Sequence, residues 1–272
     1  MNAAQNHLAA ALAITFHPLL RGDSDRAFAW RAEVTGKNGW TIGGVMGILA
    51  PEERDALDCF CATLAVTQAV ARGLARTEAL LIVPVHAGCE APDRILGDIV
   101  RTARRHGLPL ERILIEVGAD ERDDLESAER LAEACAIEGL AVVLGGFSSG
   151  RVGVNLLGRF KPRFVRLDRS LVRNIGCSDS RRLVVEGALR LAQSLGTVVI
   201  APAPETQDEH DTLRRLGVSH MERGKALRPL PSAVASRRAP RTMPVGTQRD
   251  ASTRRTAAPA GSFAAFESLV CA

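Results

Sequence analysis

The amino-acid sequence predicts an α/β fold: a barrel of the (β/α)8 TIM-barrel type whose first two strands form an antiparallel hairpin. At least six apolar strand patterns alternate with amphipathic helix patterns, the order that builds a barrel of parallel strands. The chain has 272 residues, and such a barrel takes about 250 residues. Since 46% of the residues are hydrophobic, one large core is expected.

Strand patterns at 14–20 and 27–34 open the barrel and are joined by the turn-rich link Arg21-Gly-Asp-Ser-Asp25. A link this short joins antiparallel strands. Further strands are predicted at 80–85, 113–117, from Leu140 to the two glycines 145 and 146, at 164–168 and at 197–201. Apolar, β-branched runs that stop at glycine or at charge are typical of buried parallel strands.

Helix patterns fill the intervals between these strands. A helix is predicted from Pro51 to about Gly73, because a proline suits the first helical position. Others are predicted at 92–106, at 123–138, over about a turn and a half after Gly150, and at 179–195. The last has Ser178 or Asp179 as its cap, and its predicted inward face consists of Leu183, Val184, Ala188, Leu191, Ala192 and Leu195.

The two ends of the chain differ from the predicted barrel in composition. Residues 1–13 form an Ala-rich extension, and 232–272 form a tail of Ala, Ser, Thr, Pro and Arg that is too polar for a core. The tail ends in a short amphipathic piece, 263–270, which is either a docking peptide or an idle end. Six arginines against two acidic residues give the tail a charge of +4. The excess positive charge of the chain therefore lies in the tail, and the charge of 14–231 does not indicate nucleic-acid binding.

No apolar run approaches the roughly 18 residues that span a bilayer, and the N-terminus lacks a signal-peptide pattern. We therefore expect a cytoplasmic protein with no membrane partner. The six cysteines are scattered, mostly within apolar helical patterns, which favours reduced core thiols. Cys59 and Cys61 lie two apart and diverge on a helix, so they make a poor metal pair.

Four short motifs resemble one family. Leu144-Gly-Gly-Phe-Ser-Ser-Gly150 and Phe164-Val-Arg-Leu-Asp-Arg-Ser170 resemble the "DDFGTG … LKIDRS" core of EAL domains, the bacterial cyclic di-GMP phosphodiesterases. Pro202-Ala-Pro-Glu-Thr206 is similar to the end of "VVAEGVET". Arg223 to Pro231 is similar to "QGYLFGRPLP", with Arg223 in place of the glutamine. The resemblance covers 14–231 and implies the EAL barrel.

The resemblance also implies which functional residues are lost. Positions that hold metal ligands, the catalytic glutamate or the phosphate-binding arginine in the family are occupied here by Arg31, Thr35, Pro84, Gly145, Gly146 and Pro202. Glu116, Asp168 and Glu205 match acidic residues of the family, and Arg166 replaces its lysine. His86 is either a substitute ligand or, more often for a lone histidine at a strand end, a partly exposed polar residue.

Phosphodiester hydrolysis in this family needs divalent metals held by carboxylates. Because Arg31 brings a cation to a ligand position, we predict no metal site, no cofactor and no catalytic residues. The expected remnant is a vestigial ligand pocket of Arg31, Glu116, Arg166, Asp168 and Glu205. Arg166 is expected to form an internal ion pair with Glu116 or Asp168 in place of the metal.

Three functions stay open, in decreasing order of expectation. The first is a catalytically inactive EAL domain that regulates signalling, motility or biofilm formation by binding another protein, with a homodimer also possible. The second is a receptor that binds cyclic di-GMP without cleaving it, and the third is an active phosphodiesterase. Cyclic di-GMP binding is not expected, because the chain has no tyrosine and two tryptophans to stack on its guanines.

Overall fold

The computed structural model describes residues 12–223, apart from 23, 25, 37–41, 43–45, 47, 48, 87, 120–123 and 149. Over this part of the chain, eight strands close a barrel in sequence order. They are β1 Leu12–Arg21, β2 Ala27–Gly36, β3 Leu80–Val85, β4 Ile113–Gly118, β5 Ala141–Phe147, β6 Phe164–Leu167, β7 Val198–Ala201 and β8 His220–Glu222.

Strand β1 runs against the rest of the barrel. It pairs antiparallel with β2 on one side and with β8 on the other, whereas all other neighbouring strands are parallel. The predicted barrel with an antiparallel first hairpin is therefore confirmed. The parallel strands bring the C-terminal ends of β2 to β8 to one mouth of the barrel, where such folds place their functional residues.

Seven helices surround the barrel in the described part of the chain. They are α1 Pro51–Ala71, α2 Pro92–Arg105, α3 Leu125–Ile137, α4 Arg151–Phe160, α5 Arg169–Val172, α6 Asp179–Leu195 and α7 Gln207–Arg215. Proline begins α1 and α2. Asp124 and Ser178 cap α3 and α6 by accepting backbone hydrogen bonds, which satisfies donors that a helix start leaves unpaired.

Several elements differ from the sequence prediction, among them the four-residue helix α5, which was not predicted. Helix α4 has ten residues instead of a turn and a half, and α7 and β8 were not predicted. Helix α7 was not predicted because its buried face includes Glu209 and Thr212 beside Leu213, so it lacks an apolar stripe. The inward face of α6 was partly wrong: Leu183 is 62% exposed, whereas Val185, Ala188 and Ala192 are buried.

Apolar side chains fill the lower part of the barrel interior. Leu19, Ala29, Ile82, Leu114, Val143, Phe164 and Ile200 make up this lower layer. A strand points every second side chain to the same face. The residues two positions further along β2 to β7 therefore face inward as well, one level closer to the mouth.

Most of the cysteines lie in the helix–strand core, as expected. Cys61, Cys89 and Cys135 are buried and unpaired, whereas Cys177 is exposed. The half-buried Cys59 thiol donates to Asp98 Oδ2 at 3.0 Å. Cys59 and Cys61 thus have separate surroundings on α1.

The predicted extension 1–13 lies outside the described residues except for its last two positions, and the predicted tail 232–272 lies outside them entirely. The same holds for 224–231 of the closing motif. Among the described helices, none has the length and apolar character to cross a bilayer.

Candidate functional site

Four charged side chains cross the barrel just above the lower apolar layer. Arg31 comes from β2, Glu116 from β4, Arg166 from β6 and Glu222 from β8. Alternate strands contribute the members of one interior layer in barrels of this type. We call these four side chains the charged layer.

Each member of the charged layer lies against two members of opposite sign. Arg31 Nε donates to Glu116 Oε2 at 2.5 Å and lies 3.9 Å from Glu222 Oε1. Arg166 Nη1 lies 3.5 Å from Glu116 Oε1, and its Nε donates to Glu222 Oε1 at 3.2 Å. Two positive and two negative groups give the layer no net charge.

The electrostatics keep Glu116 and Arg31 of this layer ionised. Burial by itself would raise the pKa of Glu116, but the guanidinium groups of Arg31 and Arg166 outweigh it and lower the pKa below its ordinary range. Burial opposes the charge of Arg31 as well, yet contact with Glu116 and proximity to Glu222 raise its pKa. The layer is therefore a closed ionic network at physiological pH.

Gly145 leaves the space that the Glu116 carboxyl group occupies. A Cβ built on Gly145 would lie 2.7 Å from Cγ and 2.8 Å from Cδ of Glu116, closer than side-chain atoms pack. The next glycine, Gly146, has a φ of 70°, in the left-handed region that favours glycine. The absence of a side chain at Gly145 thus lets Glu116 lie between the two arginines, whereas Gly146 supplies a left-handed backbone conformation.

Two predicted pocket residues lie apart from the charged layer. The Asp168 carboxylate caps α5 and accepts from the backbone N–H of Ser170 at 2.8 Å. Glu205 lies at the exposed rim, where it accepts from Arg169 at 2.5 Å. Of the predicted set, the structure brings together Arg31, Glu116 and Arg166. Asp168 caps a helix instead of pairing with Arg166, so the alternative prediction of an Arg166–Asp168 ion pair was wrong.

Glu222 is the member of the layer that the sequence prediction missed. The prediction placed Arg223 at the position of the family's glutamine. The side chain that faces Arg166 belongs to the preceding residue, Glu222. The second carboxyl oxygen of Glu222 accepts from the backbone N–H of Ala203 at 3.2 Å. Glu222 ends the run Val-Ser-His-Met-Glu, whose last three residues form strand β8. Recognising this run as a strand could have identified Glu222.

A cavity of about 280 Å³ opens beside the charged layer, between β2, β3 and α1. We call it the mouth cavity. Its apolar lining comes from Val34, Ile42, Met46, Cys61, Pro84 and Val85, and its polar lining from Arg31, Glu33, Thr35, Asp58, His86 and Glu116, with Gly118 and Gly145 at its base. Thr35 and Pro84, two positions where the resemblance implies lost ligands, therefore face one common space.

Asp58 is the second buried carboxyl group that the sequence prediction missed. It lies within the apolar pattern of α1, is 7% exposed, and accepts from the backbone N–H of His86 at 2.8 Å. Burial raises its pKa to about 7; the His86 hydrogen bond offsets part of this effect and Asp55 adds to it. His86 itself is held by this bond and by Gly88, whose N–H donates to His86 Nδ1 at 3.1 Å.

Glu33 contacts a histidine of the neighbouring strand. Its Oε2 lies 2.6 Å from His17 Nε2 on β1. This contact lowers the pKa of Glu33, while partial burial opposes the shift. Glu33 thus stays ionised beside the charged layer.

The residues present do not fit the pair of divalent ions that the family resemblance implies. Among the described residues, no group of three or more His, Cys, Asp and Glu side chains could hold a metal ion. Glu116 would have to leave two guanidinium groups, both of which would then repel an incoming cation.

Comparison with known proteins points to one family. The EAL domain model matches residues 55–222. The chain is 27% identical over 168 residues to the probable cyclic di-GMP phosphodiesterase PdeN of Escherichia coli, covering 60% of this chain and 32% of that protein. It is 25% identical over 207 residues to the blue light- and temperature-regulated antirepressor BluF of E. coli, covering 75% and 50%. The chain thus spans a third to a half of the length of these relatives.

Solved structures agree with this assignment. A standalone versatile EAL protein from Vibrio cholerae O395, solved with c-di-GMP bound, has a TM-score of 0.68 and 26% identity, covering 78% of this chain and 89% of that chain. The EAL domain of Xanthomonas citri FimX has a TM-score of 0.66 at 19% identity, covering 80% and 89%, which supports the fold. Because the family model matches more than half of the chain, this protein belongs to the EAL-domain family of cyclic di-GMP signalling.

Proposed function

We propose that this EAL domain does not hydrolyse cyclic di-GMP and acts as a regulator by binding another protein. The observation that carries the proposal is the charged layer, in which Arg31 and Arg166 both lie against Glu116. Carboxylates that would otherwise collect divalent metals are neutralised by the protein's own guanidinium groups. Without metals to activate water and offset phosphate charge, the family chemistry has no catalyst here.

The same contacts argue against tight binding of cyclic di-GMP. A phosphate needs cationic or amide donors, but Arg31 and Arg166 already have carboxylate partners. Exchanging a buried carboxylate for a phosphate gains little and leaves the carboxylate unpaired. Thr35 at the cavity wall supplies no charge.

Action on another protein has some support among the relatives. BluF is named an antirepressor, so the name of one relative describes regulation and not catalysis. We extend this kind of role to the present chain, in signalling, motility or biofilm control, with a homodimer as a possible form of the regulator. A non-hydrolysing receptor is the second candidate, because the Vibrio cholerae relative was solved with c-di-GMP bound.

Hydrolysis is tested by incubating the purified chain with cyclic di-GMP and Mg²⁺ or Mn²⁺. We expect no linear pGpG above a no-enzyme control. Product that appears and is lost in a Glu116→Ala variant would contradict the proposal, because it would make the ion-paired Glu116 a functional ligand.

Binding is tested by titration calorimetry with cyclic di-GMP. We expect no dissociation constant tighter than roughly 10 μM, about −7 kcal/mol. A sub-micromolar value that is lost in Arg166→Ala would favour the receptor over the protein-binding regulator.

Partner binding is tested by pull-down from the native host with the full chain, with and without added cyclic di-GMP. We expect a stoichiometric partner that stays bound in both conditions and in Arg166→Ala. Recovery of this chain alone, as a monomer, would count against the regulator.

A further inference from the structure

Asp58 carries an unused hydrogen-bonding oxygen at the wall of the mouth cavity. Its carboxyl group is more than nine-tenths buried, and its Oδ2 is taken by the backbone N–H of His86 at 2.8 Å. No other described residue donates to Asp58. Its other carboxyl oxygen is open to the cavity that Asp58 lines, so a bound molecule can donate a hydrogen bond to it.

The charge around the mouth cavity is negative. Its lining contains the carboxyl groups of Glu33, Asp58 and Glu116 against the single guanidinium of Arg31. Glu116 and Arg31 neutralise each other within the charged layer, and Glu33 lies against His17. Asp58 is the group without an ionic partner, so a cation is the ligand charge that this wall favours.

Part of the cavity lining is apolar. Val34, Met46 and Val85 line it, and Met46 is almost fully buried. The volume of about 280 Å³ lies just below the usual range of ligand pockets, about 300 to 1,000 Å³, so only a small ligand fits. A ligand that fits would combine a compact hydrocarbon body with one charged end.

We propose that the mouth cavity binds a small primary amine, with its ammonium group donating to the free oxygen of Asp58 and its hydrocarbon part lying against Val34, Met46 and Val85. The amine is chosen over a divalent ion because Asp58 offers one free oxygen and the other lining carboxylates are paired. An anion would face Asp58 and Glu33 without a free guanidinium. This site does not depend on the proposed regulatory function.

The first test compares three probes of one shape by titration calorimetry at pH 8: isopentylamine, isopentanol and isovalerate. We expect the amine to bind at least about tenfold tighter than the alcohol and the carboxylate to show no binding. Equal binding of amine and alcohol, or preferred binding of the carboxylate, would overturn the proposal. So would no binding of the amine at millimolar concentration.

The second test removes the charge of Asp58. Asp58→Asn keeps the size of the side chain and an oxygen for the His86 N–H, so we expect the tenfold preference for the amine to disappear. Asp93→Asn is the matched control: it removes one negative charge from an exposed position in the first turn of α2. Amine binding that survives Asp58→Asn, or that falls equally in both variants, would refute the assignment.

The third test locates the ligand without changing the cavity. The chain has four methionines, of which Met46 lines the mouth cavity and Met221 is buried elsewhere in the barrel core. With ¹³C-labelled methionine methyl groups, isopentylamine should shift the Met46 signal, assigned through Met46→Leu, and leave the Met221 signal in place. An unmoved Met46 signal at saturating amine would place the ligand elsewhere and reject the proposal.

Discussion

Glu116 in the charged layer and Asp58 on the α1 wall of the mouth cavity are both buried carboxyl groups, and the two behave in opposite ways. Glu116 is 6% exposed and Asp58 is 7% exposed, so burial is the same. The pKa of Glu116 is lowered because two guanidinium groups face it. The pKa of Asp58 is raised because burial disfavours its charge and the single hydrogen bond from the His86 backbone N–H offsets only part of this effect. Partners, and not depth, decide which buried carboxyl group stays charged.

The difference also separates a closed site from an open one. Every member of the charged layer has its counter-charge within the layer, so a ligand would have to break existing pairs. Asp58 has a free oxygen in a cavity, so a ligand would add a contact without removing one.

Breaking the charged layer should have the largest effect. Glu116→Leu leaves Arg31 and Arg166 facing each other over an apolar side chain, so we expect the free energy of unfolding to fall by about 3–5 kcal/mol. Urea denaturation at pH 7 measures it. Glu133→Leu is the control, since it breaks a half-exposed pair with Arg159 and should cost less than about 1 kcal/mol. Equal losses in both variants would show that the layer is not a buried network.

Neutralising Asp58 should have an effect of opposite sign that depends on pH. Its folded pKa of about 7 lies above the ordinary value of 3.8. Between about pH 4 and pH 7 the unfolded chain releases this proton while the folded chain keeps it, so the wild type loses stability as pH rises through that window.

Asp58→Asn removes this loss. We expect the variant to equal the wild type near pH 4 and to exceed it by up to about 4 kcal/mol at pH 8, where the full difference in pKa has acted. Denaturation curves across this range measure the effect. A variant that is less stable than the wild type at pH 8 would mean that Asp58 has an ionic partner in the folded state.

Filling the space beside Glu116 should give a smaller loss. In Gly145→Ala the new Cβ forces the Glu116 side chain away from its present position, at a cost of about 1–3 kcal/mol. Gly158→Ala on α4 is the control, because a Cβ there meets no atom within 4 Å. That substitution should stabilise the helix by roughly 0.5–1 kcal/mol. An unchanged free energy of unfolding in Gly145→Ala would show that the Glu116 side chain has a second position of equal stability.

The contact between His17 and Glu33 should matter least. Their side chains are 32% and 48% exposed, so solvent screens the pair. We expect Glu33→Gln to change the free energy of unfolding by less than about 1 kcal/mol. A loss as large as that of Glu116→Leu would extend the charged layer to include this pair.

Local sequence patterns predicted most of the helices and strands of the fold. Strand β3 begins and ends where its apolar run predicted. Helix α6 begins where the serine cap predicted and ends at the predicted residue. Strand β8 was missed because three residues hold no periodicity, and α7 was missed because its buried positions include Glu209 and Thr212. In both elements the stabilising contacts come from caps and neighbouring strands, which a local pattern does not contain.

The EAL barrel could be predicted from the sequence alone, because it follows from short motifs and their order. Only the tertiary structure decided which charges meet. Arg31 and Glu116 lie 85 residues apart, and Arg166 and Glu222 lie 56 apart. They become neighbours because barrel closure brings alternate strands to one level. Asp58 is buried where α1 meets the end of β3, 28 residues from its partner His86, so its raised pKa follows from long-range packing that no local pattern encodes.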